Sequence, residues 1–196
     1  MHYKLQVSIT LHTHVVTRDM WVPEFYTLPE LSHVIQASIG WDEDTVFTYR
    51  SGDLQWIYFT LLEEDDLDNG QYLAEGTTLG EVVNYWKDDG AVYECGGFRQ
   101  WEFKIRIKDS MEAHPDNLLV SLCDGKGDMP EADSDAFAPE TLQLLSNEGP
   151  IAIKTRRLQR MRLGLNSDKT FGKCTEAVAL KSIEISRARR ESQRVQ

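Results

Sequence analysis

The chain is poor in the features that would announce a chemistry. Three cysteines in 196 residues (Cys95, Cys123 and Cys174) are odd in number, far apart, and never spaced C-x-x-C. That excludes a disulfide framework and fits a reducing compartment. No apolar run approaches the roughly 20 residues that span a bilayer. The opening MHYKLQVSITL alternates where a signal peptide needs an unbroken apolar block, so the expected location is cytoplasmic, with no membrane partner. Walker A, G-x-G-x-x-G, G-x-S-x-G and H-E-x-x-H are all missing. Positive charge is scarce over most of the length. Residues 1–149 hold 9 Lys+Arg against 28 Asp+Glu, a net −19, whereas residues 150–196 carry +8, for a total of −11. Such segregation points to two surfaces with different partners.

What is present reads as an α+β chain. Tyr3, Leu5, Val7, Ile9 and Leu11 alternate with Lys4, Gln6, Ser8 and Thr10, the period of two expected of a half-buried strand. VVTRDMWV (15–22) follows as a second strand, ending at Pro23. In TLPELSHVIQASIGW, Thr27 and Glu30 have capping-box spacing, and Leu28, Leu31, Val34, Ile35 and Ile39 form one helical stripe before a Gly40 stop. Residues 46–62 predict a hairpin around Ser51-Gly52-Asp53, and TTLGEVVNYW (77–86) a short helix capped by Thr78 and Glu81. AVYEC and WEFKIRIK flank Gly96-Gly97 as a second hairpin. Residues 109–135 read as an acidic loop, 138–149 as a short helix and 151–165 as an amphipathic one. Residues 175–196 read as a longer helix with polar last turns expected to fray. Fold class is thus α+β, a mixed sheet with a strand pair followed by a packed helix, plus C-terminal helices. An acidic domain over 1–137 and a basic helical appendage over 138–196 are expected.

Four stretches occur in order: TLPELSHVIQASIGWDED, GTTLGEVV, YECGGFRQWEFKIRI and CDGKGDMPEAD. Together they resemble the plasmid pRiA4b ORF-3-like family, whose members occur on plasmids, transposons and bacterial chromosomes. The likeness spans about residues 3–135. The resemblance implies an α+β fold with a β-grasp-like start, and it implies no defined activity. Many members carry histidines where this chain has Thr45 or Phe47 and Phe103, an acid where it has Gly97, and further cysteines after the position of Cys123. Those departures weigh against an enzyme, and no cofactor is expected.

Individual candidates point the same way. His12 and His14 lack a visible third ligand for zinc. His33 and His114 have no evident nucleophile or carboxylate beside them. EEDDLDNG fails an EF-hand template at Leu67 and Gly76. The thiol of Cys123 sits among acids that raise its pKa. What remains is charge. Glu63, Glu64, Asp65, Asp66 and Asp68, with Asp124, Asp128, Glu131, Asp133 and Asp135, are the candidate contacts for a protein partner with a basic surface. Lys154, Arg156, Arg157, Arg160 and Arg162 are candidates for docking, for isologous dimerisation, or for nucleic-acid contact. The leading expectation is a non-enzymatic mobile-element accessory protein acting through its acidic surface. Its sharper form is a DNA mimic that inhibits a nucleic-acid-guided defence complex such as a CRISPR effector. The alternatives are a nucleic-acid-binding accessory factor using the basic helices, and an enzyme with a cryptic metal or cysteine site.

Overall fold

The computed structural model describes residues 1–11, 14–41, 46–58, 67–95, 101–112, 119–127, 129 and 167–195. Eight strands form one sheet: β1 (His2–Leu11), β2 (His14–Pro23), β3 (Phe47–Ser51), β4 (Leu54–Tyr58), β5 (Gln71–Leu73), β6 (Ala91–Cys95), β7 (Trp101–Met111) and β8 (Ser121–Lys126). Their spatial order is β5-β4-β3-β6-β7-β1-β2-β8, and only the β4–β5 pair is parallel. Helices α1 (Leu28–Ile39), α2 (Leu79–Trp86) and α3 (Ser167–Val195) complete the α+β fold.

Helix α1 forms as its caps dictate. The Thr27 backbone N–H donates to Glu30 Oε2 (2.8 Å), and the Glu30 N–H donates to Thr27 Oγ1 (3.4 Å). Gly40 closes the helix at φ +80°, a conformation costly for a residue with a Cβ. The stripe Leu28, Leu31, Val34, Ile35 and Ile39 is buried. Burial of each such side chain contributes about 1.5–3 kcal/mol. Facing it across the sheet are Leu5, Val7, Phe47, Tyr49, Tyr93, Phe103 and Ile105. Phe47 and Phe103 are core side chains.

The two helix starts are tied together. Leu28 N–H donates to the Thr77 carbonyl and Leu79 N–H to that of Tyr26, both at 2.8 Å, while Gly80 N–H donates to Glu24 O (2.8 Å). Inside the core, Tyr93 Oη meets Ser32 Oγ (2.6 Å) and accepts from Gln36 Nε2 (2.9 Å), so polar groups at the helix–sheet seam satisfy one another.

Arg18 is 1% exposed. Its guanidinium donates to the carbonyls of Ser38 (2.6 Å), Thr17 (2.7 Å), Gly127 (3.0 Å) and Lys126 (3.1 Å). A buried cation is tolerable when carbonyl dipoles surround it, and Ser38 belongs to the electronegative end of α1. This side chain fastens β2, α1 and the end of β8 to one another.

Helix α3 lies against α1 and β8 through a stripe of buried residues, Cys174, Val178, Ser182 and Ile185. The Ser182 hydroxyl pairs with Tyr26 Oη (2.8 Å) and accepts from the Val120 N–H (2.8 Å). Two sequence expectations are corrected. Residues 109–135 are not all loop, because β7 continues to Met111 and Ser121–Lys126 form β8. That edge strand buries only Leu122, and Asp, Gly and Lys are poor strand formers, so its pairing with β2 outweighs weak local preference. The polar end of α3 is also anchored. Arg189 forks onto Glu30 through Nε (2.6 Å to Oε1) and through Nη2 (to Oε2), donates to Phe25 O (2.7 Å), and lies over the Phe25 and Tyr26 rings. The segments expected to be helical over 138–149 and 151–165 lie outside the described residues.

Candidate functional site

One end of the sheet combines exposed aromatic rings with uncompensated negative charge. Residues 51–90 hold ten Asp+Glu and one Lys. They build the β3–β4 turn, the edge strand β5 and helix α2. Leu79, Val82, Val83 and Trp86 turn the apolar face of α2 onto the sheet, which leaves Tyr85 on the outer side. Trp86 stacks on Tyr49 and meets Trp56 edge-on. Trp56, 4% exposed, in turn carries two rings that reach solvent: Tyr72 of β5 (centroids 6.1 Å apart, 49% exposed) and Tyr85 (6.0 Å, 58% exposed).

The same segments carry Asp53, Asp68, Glu75, Glu81, Asp88 and Asp89, all exposed. Helical spacing brings Glu81 to the same side of α2 as Tyr85, and Asp89 lies in the turn that follows the helix. The Thr78 backbone N–H (2.6 Å) and hydroxyl (2.8 Å) both donate to Glu81 Oε2, and these bonds lower its pKa against a small opposing effect of burial. Asp53, Asp68, Glu75, Asp88 and Asp89 have no ion pair or side-chain hydrogen bond among the described residues. Some carboxylates elsewhere are paired: Glu24 with the N-terminus, Asp19 with Lys4, Glu94 with Arg50, Glu30 with Arg189, and Glu184 with Lys181, whereas Asp109 and Asp124 have no ion pair among the described residues.

Of the acidic positions singled out in the sequence, Asp68 lies at this corner. Asp124 is exposed on β8, at the opposite edge of the sheet. Strand spacing puts the two edges roughly 30 Å apart, so these two residues do not share a patch. Glu63, Glu64, Asp65, Asp66, Asp128, Glu131, Asp133 and Asp135 lie outside the described residues, as do Lys154, Arg156, Arg157, Arg160 and Arg162. Tyr72 and Tyr85 were missed. Tyr85 carried a signal, since it falls off the 79/82/83/86 stripe, but nothing local indicated that both tyrosines would meet on Trp56.

Other candidates are less developed. Cys123 is exposed and donates to Asp19 O (3.1 Å). Partial burial pushes its thiol up, with Lys4 opposing and Asp19 and Asp124 adding to the rise. His33 lines an open groove of about 300 Å³ between α1 and α3 with Ala37, Trp41, Leu180 and the Lys181–Glu184 pair. Among the described residues no three of His, Cys, Asp and Glu converge to hold a metal ion, and no helix is long and apolar enough to cross a membrane.

Comparison with known proteins agrees with the fold. No curated protein matches the chain. A solved structure, the protein of unknown function MM3350 from Methanosarcina mazei Go1, superposes with a TM-score of 0.55 at 19% identity, covering 75% of this chain and 82% of that one. This likeness speaks for shared architecture alone. The family described as plasmid pRiA4b ORF-3-like protein matches residues 1–149, which takes in the whole of the sheet and helices α1 and α2. The chain belongs to the plasmid pRiA4b ORF-3-like family.

Proposed function

We propose that this protein is a non-enzymatic accessory factor of a mobile genetic element that binds a protein partner with a basic surface, using the acidic corner around Trp56, Tyr72 and Tyr85. One observation carries the reading: two half-exposed tyrosines rest on a buried tryptophan in an acid-rich stretch whose Asp53, Asp68, Glu75, Asp88 and Asp89 have no ion pair among the described residues. Interface centres are enriched in Tyr and Trp, and charged rims steer the encounter. Residues 1–149, at net −19, repel nucleic acid and attract cationic proteins.

The sharper form, mimicry of DNA toward a nucleic-acid-guided defence complex, rests on the same charge and adds one requirement: duplex DNA must compete for the partner. The test is retention of host proteins by the immobilised chain, with Tyr72→Ser/Tyr85→Ser and Asp88→Asn/Asp89→Asn variants beside it. A basic partner held by the parent and lost by both variants is the expected result, with Asp124→Asn behaving as the parent. Retention unchanged in both variants refutes the reading. DNA binding at physiological salt that disappears on neutralising Arg156, Arg157, Arg160 and Arg162 would favour the accessory factor that binds nucleic acid.

A further inference from the structure

Resting on the reading above, the geometry points to the chemistry of the partner's anchor: we infer that the acidic corner reads arginine, taking a guanidinium onto Tyr72 and Tyr85 while the surrounding carboxylates meet its charge. Four observations converge on this ligand.

Both rings reach solvent beside Trp56. Tyr72 lies within 26° of the Trp56 plane and Tyr85 is tilted from it by 50°. Neither phenol hydroxyl has a hydrogen-bond partner among the described residues, and both rings are about half exposed. A guanidinium gains from such faces both cation–π attraction and flat stacking, whereas an ammonium gains only the first.

Positive charge is scarce here. Asp53, Asp68, Glu75, Asp88 and Asp89 have no ion pair among the described residues, and Lys87 is the one cation in residues 51–90. An arriving arginine finds acceptors whose desolvation it offsets, and its planar fork suits carboxylate geometry.

The sheet edge is closed to the commonest alternative, strand addition. Along β5, Gln71 N–H already donates to Asp68 O (3.0 Å) and Leu73 C=O accepts from the Thr77 hydroxyl (2.9 Å). A three-residue edge with these groups occupied offers too few for a ladder, so recognition falls to side chains.

The fold also uses the same chemistry internally. Arg189 lies 4.8 Å from the Phe25 ring centroid and 5.4 Å from that of Tyr26 while its fork holds Glu30. At the corner, Tyr72 and Tyr85 both contact Trp56 in a stretch of ten acidic residues and one lysine.

The experiment uses the full chain and two synthetic peptides of equal length and charge, one with arginine and the other with lysine as its only cations. Binding is measured by calorimetry and tryptophan fluorescence at physiological ionic strength. The arginine peptide is expected to bind about fivefold or more tightly than the lysine peptide. Tyr72→Ala and Tyr85→Ala should each weaken it about two- to fivefold, and together remove the preference. Asp88→Asn/Asp89→Asn should weaken both peptides alike and flatten the salt dependence. Both tyrosines are exposed, and unchanged thermal unfolding verifies that the variants fold. Equal affinity for the two peptides, or affinity indifferent to both tyrosines, overturns the arginine inference and leaves the acidic-surface reading standing. If neither peptide binds, the arginine inference falls, and the retention experiment above decides the acidic-surface reading.

Discussion

Replacing Arg189 with alanine tests whether the last turns of α3 belong to the folded unit. The side chain is 30% exposed and its partner Glu30 19% exposed, so the pair lies between a surface bridge and a buried one. An exposed pair contributes about 0–1 kcal/mol, and removing one member of a buried pair costs about 3–5. The forked contact, the bond to Phe25 O and the overlying rings place Arg189→Ala at a loss of about 2 kcal/mol. For a chain of this length, that corresponds to a fall in melting temperature of roughly 4–8 °C. Both Thr27–Glu30 bonds remain, so α1 retains its cap and should stay folded. Arg189→Lys preserves charge but not the fork and should lose about 1 kcal/mol. Denaturant unfolding gives the energies, and hydrogen exchange shows where they act: amides of the second half of α3 should lose protection first. A double-mutant cycle with Glu30→Gln should show a coupling of about 1 kcal/mol or more. A loss below about 0.5 kcal/mol, with exchange in α3 unchanged, would refute the claim that this contact anchors the helix.

Backbone constraint predicts a sharp contrast between two glycines. Gly90 has φ +78°, and an added Cβ would lie 2.3 Å from Ile105 O, so Gly90→Ala should cost roughly 3 kcal/mol or more by denaturant unfolding. Gly52→Ala, at φ +57° in open space, should cost about 1 kcal/mol, and equal losses would contradict the strand approach described. Tyr93→Phe removes the hydroxyl that joins Ser32 and Gln36 and should cost about 1–2 kcal/mol, less than additively with Ser32→Ala. Stability should also fall as pH rises through 10.0. Burial holds the Tyr49 and Tyr93 phenols well above that ordinary value, so the unfolded chain loses protons that the native state retains. Phenolate absorbance should therefore rise in two stages, the second coinciding with loss of the far-ultraviolet signal, and ionisation of all seven tyrosines before unfolding would exclude this.

Much of the fold was legible because its determinants are near neighbours in the chain. Alternation over β1, the Thr27–Glu30 box, the Gly40 stop and the turn at Ser51-Gly52-Asp53 each act within a few residues, and each forms as expected. Strands β5 and β8 escaped notice because both are short, polar edge strands. Their conformation comes from hydrogen bonds to β4 and β2, not from their own side chains. The resting place of α3 was likewise hidden. Its stripe could be counted, but the surface receiving it includes Tyr26, Glu30 and Val120, all far away in sequence.

The candidate site divides in the same way. Sequence alone determined the charge segregation and the acid-rich span from 51 to 90, since these are matters of composition. Tertiary structure decided which carboxylates find cations and which do not. It sent Asp68 and Asp124 to opposite edges, paired Glu30 with Arg189, and brought Tyr72 and Tyr85 onto one tryptophan. Those are distances between residues remote in the chain, set by strand order and helix docking, and no local pattern encodes them.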